Sequence, residues 1–391
     1  MILGIAKEIM EKENRVAAIP DTVEKFVKKG YRVLVESGAG RGIFIEDSQY
    51  QKAGAEIVKD VQELFATADV ILKVKQPEFN HTIGKHEIEM MRNDTILITF
   101  LHPAAPASFE NVMRLKAKGL TAFTMDGIPR TSRAQRMDAL TSMSTVTGYR
   151  SVILAASHLP KFIPLIGTAI GTIKPANILI IGAGVVGLQA IATAKRLGAV
   201  VHVMDILDEA RAAGESLGAK AAGFDVPQNI AKGEEGYAKA LPEEWLEKER
   251  ALLKTLVPDI DVIILSALVP GEKAPCLITE DMVSIMKPGS VFIDVSVDQG
   301  GNCSVTEPGK EVVKHGVTIS GLQNIPGRMA VHASWLYANN MYYYVENLFK
   351  ERPGKIDFED DIVKNSLVTY QGKIVHQGTI KAMSLETGAQ A

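Results

Sequence analysis

The segment IPRTSRAQRMDALTSMSTVTGYR, residues 128–150, combines side chains that recognise anions with one that recognises an amide. It places three arginines around a glutamine and an aspartate: Arg130, Arg133, Arg136, Gln135 and Asp138. Guanidinium groups bind phosphates and carboxylates through paired N–H donors, and a glutamine offers a carboxamide both a donor and an acceptor. The pattern predicts a site for an anionic, amide-bearing ligand. A solvated, arginine-rich helix start is the alternative interpretation.

A glycine pattern later in the chain predicts a dinucleotide site. Gly182, Gly184 and Gly187 have the G-x-G-x-x-G spacing and lie between an apolar strand-like run and an alanine-rich helical run. There the first glycine permits a tight turn, the second lets the backbone approach a pyrophosphate, and the third allows close helix packing. Asp205 ends the next strand-like run, where a carboxylate accepts from a ribose 2′-hydroxyl and repels a 2′-phosphate. We therefore predict NAD(H) rather than NADP(H) at this site.

The elements that would position these residues follow a βαβ rhythm. Strand-like runs alternate with helical runs in two series. The strand-like runs of the first series are RVLVESG, VILKV, TILITF and LTAFTM, and those of the second are NILIIGA, VVHVMD, DVIILSA, SVFIDVS and GVTISGL. This alternation predicts mostly parallel sheets with helices on both faces. The predicted fold class is α/β, with two Rossmann-like doubly wound parallel-sheet domains and a nucleotide cleft between them.

The predicted N-terminal domain is discontinuous. Residues 1–137 and 327–391 form an α/β domain of catalytic type, and residues 138–326 form the NAD(H)-binding Rossmann domain. A helical connector runs from Met137 to Leu165, and SLVTYQGKIVHQG near the end of the chain predicts a hairpin. The long polar segment at 225–250, interrupted by Gly and Pro, predicts a mobile functional loop, with a plain solvated insertion as the alternative.

Bulk composition excludes several classes of protein. The 391 residues are 46% hydrophobic and 23% charged, which is typical of a globular enzyme of about two domains. A net charge of −3 offers no basic surface for nucleic acid. Cys276 and Cys303 form no metal-ligand pattern, so we predict no metal site and reduced thiols in a cytoplasmic protein.

Two apolar stretches could be mistaken for membrane signals. The N-terminus MILGIAKEIM carries an acidic residue early and lacks a long apolar core, so we expect no signal peptide. The run ANILIIGAGVVGLQAIATA has the length of a membrane span, but its glycines divide a β-branched half from an alanine-rich half. It predicts a strand, a turn and a helix in a soluble protein without direct membrane insertion.

Five segments together resemble the family of alanine dehydrogenases and nicotinamide nucleotide transhydrogenase α subunits. They are PRTSRAQRMDALTSMSTVTGYR, IGAGVVGLQAIATAKRLGAVV, EGYAKALPEE, SALVPGEKAPCLITEDMV and MKPGSVFIDVSVDQGGN, and the resemblance covers essentially the whole chain. It is strongest to the NAD(H)-binding domain I of proton-translocating transhydrogenase, in the form where that domain is a separate soluble subunit. The resemblance implies hydride transfer from NADH to NADP⁺ held on a partner subunit.

The resemblance also implies partners and site residues. It implies that the chain forms a homodimer, and the aromatic run LYANNMYYYVENLF is compatible with this. It also implies that the homodimer associates with NADP(H)-binding and membrane-spanning subunits at the inner membrane. The catalytic residues that it implies are Arg130, Gln135, Asp138 and Tyr237, and Tyr237 lies in a loop that closes over the nucleotide. The cofactor-binding residues that it implies are Arg130, Thr131, Ser132, Arg133, Gln135, Gly182, Gly184, Val185, Gly187, Asp205, Ile206, Leu207, Gly236 and Leu268.

Three residues resemble the alanine dehydrogenase branch instead. Both branches share Arg15, whereas Lys75, His102 and Asp298 are typical of alanine dehydrogenase. There an Arg and a Lys hold the substrate carboxylate and carbonyl, a His serves as acid and base, and an Asp lies beside the nicotinamide. Arg15 and Lys75 could equally form surface ion pairs, and His102 could be a satisfied histidine at a strand end.

Three functions remain open from the sequence. We favour an NAD(H)-binding transhydrogenase subunit, because the Arg130–Asp138 run and the Tyr237 loop match as whole segments and the chain lacks membrane spans. A self-sufficient NAD-dependent alanine dehydrogenase, or a related amino-acid or opine dehydrogenase, is favoured by Lys75, His102 and Asp298. A protein that binds NAD(H) without chemistry has no feature in its favour.

Overall fold

In a computed structural model the chain divides into two compact units, and the structure describes residues 1–233, 238–269 and 273–386. The first unit comprises Met1–Met143 and Pro326–Ala391, and the second comprises Ser144–Ile325. Each unit contains one large sheet whose central strands are buried apolar runs. Such runs are typical of parallel strands covered on both faces.

The strands and helices of the described residues are numbered in chain order. The strands are β1 (Ile2–Ile5), β2 (Arg32–Glu36), β3 (Glu56–Val58), β4 (Val70–Leu72), β5 (Phe79–Asn80), β6 (Lys85–His86), β7 (Ile96–Thr99), β8 (Thr121–Thr124), β9 (Ile166–Thr168), β10 (Gly171–Ile173), β11 (Asn177–Ile181), β12 (Val200–Met204), β13 (Lys220–Ala221), β14 (Val262–Leu265), β15 (Val291–Asp294), β16 (Glu311–Lys314), β17 (Val317–Ser320), β18 (Leu367–Tyr370) and β19 (Lys373–Ile374). The helices are α1 (Pro20–Lys28), α2 (Asp47–Lys52), α3 (Val61–Thr67), α4 (Glu87–Met90), α5 (Phe109–Lys118), α6 (Ala139–His158), α7 (Val185–Arg196), α8 (Asp208–Ser216), α9 (Gln228–Ala231), α10 (Glu243–Leu256), α11 (Glu280–Ser284), α12 (Ala330–Leu348), α13 (Asp361–Ser366) and α14 (Gln377–Glu386).

The sheet of the first unit has eight strands in the order β19-β18-β8-β7-β4-β1-β2-β3. The six strands from β8 to β3 run parallel, and β18 joins them antiparallel along β8. If the six parallel strands are numbered 1 to 6 along the chain, so that β7 and β8 are the fifth and sixth, their order from the β3 edge is 3-2-1-4-5-6. This is the doubly wound order. Its order reverses between β1 and β4, so their carboxyl ends mark the position where such sheets bind ligands.

The sheet of the second unit repeats this order. Its seven strands are arranged β13-β12-β11-β14-β15-β17-β16, and only β16 is antiparallel to its neighbour. The order reverses between β11 and β14. The glycine turn predicted from the sequence follows β11 directly, so it lies at the reversal point.

The structure contains strands that the sequence did not predict, among them β1 and the pair β9 and β10. β1 is the four-residue run ILGI at the N-terminus, and it lies between β2 and β4 in the centre of its sheet. The connector predicted as helical to Leu165 ends at His158, two residues before Pro160, and β9 and β10 then form an antiparallel hairpin. A proline disfavours helical backbone in the residue before it, which accounts for the earlier end.

Candidate nucleotide-binding site

Packing within the second unit requires two of the three predicted glycines. Gly182 has a φ of 90°, where a side chain is strained, and a Cβ there would lie 2.7 Å from the carbonyl carbon of Ser266. A Cβ at Gly187 would overlap the carbonyl oxygen of Gly182. Glycine at these positions therefore lets α7 begin directly against the end of β11.

Gly184 is not required by the protein's own packing. Its φ of −70° suits any residue, and a Cβ there would have no atom of the described residues within 4 Å. Val185 then begins α7, whose first N–H groups have no partner within the helix and receive no side-chain cap from Gly184. Open space at Gly184 beside the positive end of a helix dipole fits close approach of a pyrophosphate.

Asp205 lies beside this turn, at the end of β12. Its Oδ2 accepts a hydrogen bond from the N–H of Ala183 at 2.6 Å, and its Oδ1 accepts from the N–H of Leu207 at 2.8 Å. Burial raises the pKa of the Asp205 carboxyl, while these N–H groups oppose the rise. The two bonds fix the carboxylate against the glycine turn, and the second oxygen lone pairs can still accept from a ribose hydroxyl.

Among the described residues, Arg211 is a cation that lowers the pKa of Asp205. Its guanidinium is already bound to other acceptors. Its guanidinium donates to the backbone oxygens of Asp205 and Phe224 and pairs with Asp208 and Asp225. Its side chain is mostly buried. An arginine committed in this way braces the turn after β12 and is not presented to a 2′-phosphate.

The other predicted residues of the second unit lie at the carboxyl ends of neighbouring strands. Ser266, after β14, donates through its hydroxyl to the Gly182 carbonyl at 3.0 Å, and the partly exposed Leu268 lies two residues further on. Asn302 holds that segment by hydrogen bonds to both backbone groups of Ala267. Asp298, after β15, is exposed and accepts from Gln323 at 2.6 Å.

Gln135 belongs to the first unit, on a 3₁₀ helix at Ser132–Met137. The arginines on either side of it are anchored, because Arg133 makes a two-bond ion pair with Asp360 at 2.6 and 3.1 Å and Arg136 lies over the Tyr343 ring. The Arg133 pair holds the pKa of Asp360 well below its usual range. Gln135 itself is exposed, and its carboxamide has no hydrogen-bond partner among the described residues. A fixed backbone thus presents an unbound carboxamide.

The flanking residues of this segment take different roles. Arg130, Thr131 and Ser132 are exposed, as a ligand site requires. Asp138 accepts from the N–H and the hydroxyl of Thr141 at 2.8 and 2.6 Å and so caps the start of α6. Asp138 therefore has a structural role beside its predicted catalytic one.

Arg15 does not form the surface ion pair considered from the sequence. The residue is 3% exposed, and its guanidinium makes two hydrogen bonds to the carboxylate of Glu13, at 2.8 and 2.6 Å. Lys75 is partly buried, and its backbone is held by Glu8 and by the hydroxyl of Thr99. Both side chains lie in the first unit.

His102 is held in an unusual conformation. Its φ of 46° is left-handed, its ring is parallel to that of Phe100, and its Nδ1 lies 3.2 Å from Oδ2 of Asp126. Burial acts to raise the pKa of Asp126, but the imidazole and the Thr124 hydroxyl lower it to about 2. An aspartate at one ring nitrogen orients an imidazole for proton transfer at the other.

Gly236 and Tyr237 lie outside the described residues, so their predicted roles stay predictions. Lys232 and Ala238, on either side of them, pair in an antiparallel bridge. Within the described ranges, no group of three or more His, Cys, Asp or Glu side chains could hold a metal ion.

The sequence of this chain matches two family models in succession. Residues 4–147 match the N-terminal domain of alanine dehydrogenase/PNT, and residues 151–377 match the C-terminal domain. The chain belongs to this family. The resemblance inferred from the motifs is thereby confirmed.

Relatives of both branches match over nearly the whole chain. A Rhodospirillum rubrum protein, named as the first part of NAD(P) transhydrogenase subunit alpha, is 43% identical over 380 residues, which are 96% of this chain and 98% of that protein. The alanine dehydrogenase of Bacillus subtilis is 32% identical, over 99% of this chain and 96% of that protein. The crystal structure of transhydrogenase from Sinorhizobium meliloti superposes with a TM-score of 0.83 at 39% identity, covering 96% of this chain and 100% of that one. The fold of two parallel-sheet domains is thus confirmed, and identity favours the transhydrogenase branch.

Sequence reasoning missed two residues that shape the glycine turn. A Cβ at Gly148, in α6, would overlap the carbonyl oxygen of Val186, so this glycine lets α6 pack against the first turn of α7. Ser266 supports Gly182 from β14. A glycine inside an otherwise regular helical run is the only signal that could have indicated the first of these.

Proposed function

We propose that this chain is the NAD(H)-binding subunit of a proton-translocating NAD(P) transhydrogenase and transfers hydride from NADH to NADP⁺ on a partner subunit. The observation that carries the proposal is the turn of Gly182, Gly184 and Gly187 beside Asp205, at the reversal point of a doubly wound sheet. The identity to the Rhodospirillum rubrum transhydrogenase subunit supports the choice within the family.

Asp205 is proposed to select NADH over NADPH. Its carboxylate is fixed by two backbone N–H groups, and the neighbouring Arg211 is committed to other acceptors. The Asp205 carboxylate would repel a 2′-phosphate, and Arg211 is bound to other acceptors and does not neutralise that repulsion. A 2′-hydroxyl can donate a hydrogen bond to the same carboxylate. Ile206 and Leu207 continue this turn and are proposed to flank the adenosine.

The residues of the first unit are proposed to orient the reacting end of the nucleotide. When bound, the nicotinamide supplies the hydride, and the protein contributes positioning. Gln135 has both a donor and an acceptor for a carboxamide, and its anchored neighbours restrict its movement. Arg130 is proposed to hold phosphate, and the Gly236–Tyr237 segment is proposed to cover the nucleotide and exclude water.

The proton-translocating and NADP(H)-binding parts are proposed to reside on partner subunits at the inner membrane. Among the described residues, no helix combines the length and the apolar character that crossing a bilayer requires. The name of the Rhodospirillum rubrum relative states that it is one part of an α subunit. Both observations agree with a chain that reaches the membrane through partners.

We propose a homodimer that uses the β9–β10 hairpin. Four apolar side chains at and beside it are exposed, namely Phe162, Leu165, Ile170 and Ile173, and Ile170 is 99% exposed. The aromatic helix α12, whose sequence is compatible with a dimer, buries Tyr337, Tyr342 and Tyr344 within its own unit and exposes Val331 and Trp335. An exposed apolar group of this kind is typical of an interaction surface.

Replacing Ile170 with Asp is expected to raise the dimer dissociation constant at least about tenfold, because a charge would be buried in the interface. Sedimentation equilibrium of the purified chain measures the constant. Ile285→Asp, at an isoleucine that is 43% exposed and lies outside the hairpin, is the control and should leave the dimer dissociation constant unchanged. A parent chain that sediments as a monomer at micromolar concentration would refute the homodimer.

An NAD-dependent alanine dehydrogenase is the second candidate function. It is favoured by the His102–Asp126 pair, which has the form of an oriented acid–base group, and by the relative in Bacillus subtilis. The identity of 32% against 43% places this function second.

The purified chain alone is expected to bind NADH, seen as a change in its fluorescence, and to show no reduction of NAD⁺ with L-alanine at alkaline pH. A transhydrogenase subunit that binds only NAD(H) needs the NADP⁺-binding partner subunit to accept the hydride. Alanine-dependent formation of NADH would replace the transhydrogenase proposal with the dehydrogenase. Failure to bind NADH would remove both functions.

A further inference from the structure

Glu249 is a buried carboxyl group of the second unit. It lies in α10 between Leu246 and Leu253, at the spacing that puts all three side chains on one helix face. Leu253 belongs to the same apolar cluster as Met204, and Leu246, Ile206 and Leu207 pack against that cluster. The adjacent Arg250 points elsewhere, donating to the backbone of Cys276 and to Glu243.

The Glu249 side chain has no compensating partner in the described part of the chain. The residue is 4% exposed, yet no hydrogen bond or ion pair joins its carboxyl to a described residue. An unpaired buried charge is costly, and natural proteins keep such groups where a ligand or a protonation change makes use of them. Glu249 is therefore a candidate for such a group.

Two charged groups act on Glu249 from the elements around it. Burial raises its pKa to about 7, the Asp205 carboxylate at the end of β12 acts in the same direction, and Arg250 of its own helix opposes both. Arg211, of α8, acts on Asp205. The pKa of Glu249 is thus raised toward neutral pH, and the carboxylate proposed to hold the ribose is one of the causes.

We propose that Glu249 is a second acidic group of the adenosine-ribose site and that it takes up a proton from solvent when NADH binds. The inference rests on the proposed NAD(H) site. A bound nucleotide brings the negative charges of its pyrophosphate to the turn beside Asp205, and added negative charge disfavours the ionised carboxyl of Glu249. The protonated carboxyl can then donate a hydrogen bond to a ribose oxygen or to Asp205.

Proton uptake is measured directly by calorimetric titration of NADH into the full chain, in buffers of different ionisation enthalpy. If bound NADH raises the pKa of Glu249 by about one unit, the parent takes up about half a proton at pH 7.5, and its NADH affinity falls about tenfold between pH 6 and pH 9. Glu249→Gln should show neither effect. Glu247→Gln, the same change at an exposed position of the same helix, should retain both.

The outcomes separate this inference from the site on which it rests. Asp205→Asn should narrow the preference for NADH over NADPH by about tenfold or more. Unchanged discrimination would remove Asp205 as the ribose ligand. If Asp205→Asn behaves as expected, zero proton uptake by the parent, or equal uptake by the parent and Glu249→Gln, overturns the role of Glu249 alone.

Discussion

Gln135→Asn is expected to slow hydride transfer by at least about a hundredfold while changing NADH affinity by no more than a few-fold. The shorter side chain keeps the same carboxamide but withdraws it by one methylene, and a displacement of about 1 Å at a reacting centre costs about this much in rate. Affinity changes little because Gln135 is not among the residues that we propose to hold the pyrophosphate and the ribose. Rapid-mixing measurement of NADH oxidation, with the NADP⁺-binding partner supplied, gives the rate.

The control for this prediction is the same substitution elsewhere. Gln51 is exposed in α2, remote in sequence from the predicted site residues, and Gln51→Asn should transfer hydride at the parental rate. Equal rates for the Gln135 variant and the parent would show that Gln135 does not orient the nicotinamide. If Gln135→Asn loses NADH affinity as well as the rate of hydride transfer, Gln135 contributes to binding rather than to orientation.

The fold could be predicted because its signals are local. The central parallel strands of the two sheets are short apolar runs, and turns and helix ends carry their own markers, such as Gly119 in left-handed conformation after α5. The glycine turn and Asp205 were predictable for the same reason, since one βαβ unit fixes their spacing. β1 escaped prediction because four apolar residues at a chain start resemble many other sequences.

What the sequence could not predict depends on partners that lie far apart along the chain. Arg15 could not be recognised as buried, because burial is decided by tertiary packing rather than by residue type. Glu249 is one more charge in a polar segment until the fold of the second unit buries its side chain. The exposed apolar hairpin lies directly after the segment that the sequence predicts as helical, and its apolar residues have the composition of a buried element.

Lys73 is the strongest case of a residue hidden from sequence analysis. It directly follows β4, 0% exposed, with its Nζ 2.9 Å from Glu87 and 3.5 Å from Glu8. Glu8 also accepts from the N–H groups of Val74 and Lys75, so the cluster fixes the segment that carries Lys75. Burial raises the pKa of Glu8 to about 7, with Lys73 opposing the rise.

Lys73→Met is expected to lower the free energy of unfolding of the first unit by about 3–5 kcal/mol, because it leaves two buried carboxyl groups without their cation. The loss should be greater at pH 8 than at pH 6. The pKa of Glu8 is raised in the folded state, so the stability linked to its protonation is fully present below about 4.5, its unfolded value, and is lost as the pH rises through about 7. Without Lys73 that pKa rises further, which extends the loss to higher pH.

The two tryptophans allow this unit to be followed by itself. Trp245 lies in the second unit and Trp335 in the first, so in a Trp245→Phe background denaturant unfolding seen by fluorescence reports on the first unit. Lys28→Met removes a lysine that also pairs with a glutamate, but at the surface, and should cost no more than about 1 kcal/mol. If the two variants cost the same, burial does not decide the strength of these ion pairs. If only Lys73→Met lowers the free energy of unfolding substantially, adding Glu87→Gln should recover part of that loss. The cause is then the buried carboxylate left without its cation, because Glu87→Gln removes that charge without restoring the missing contact.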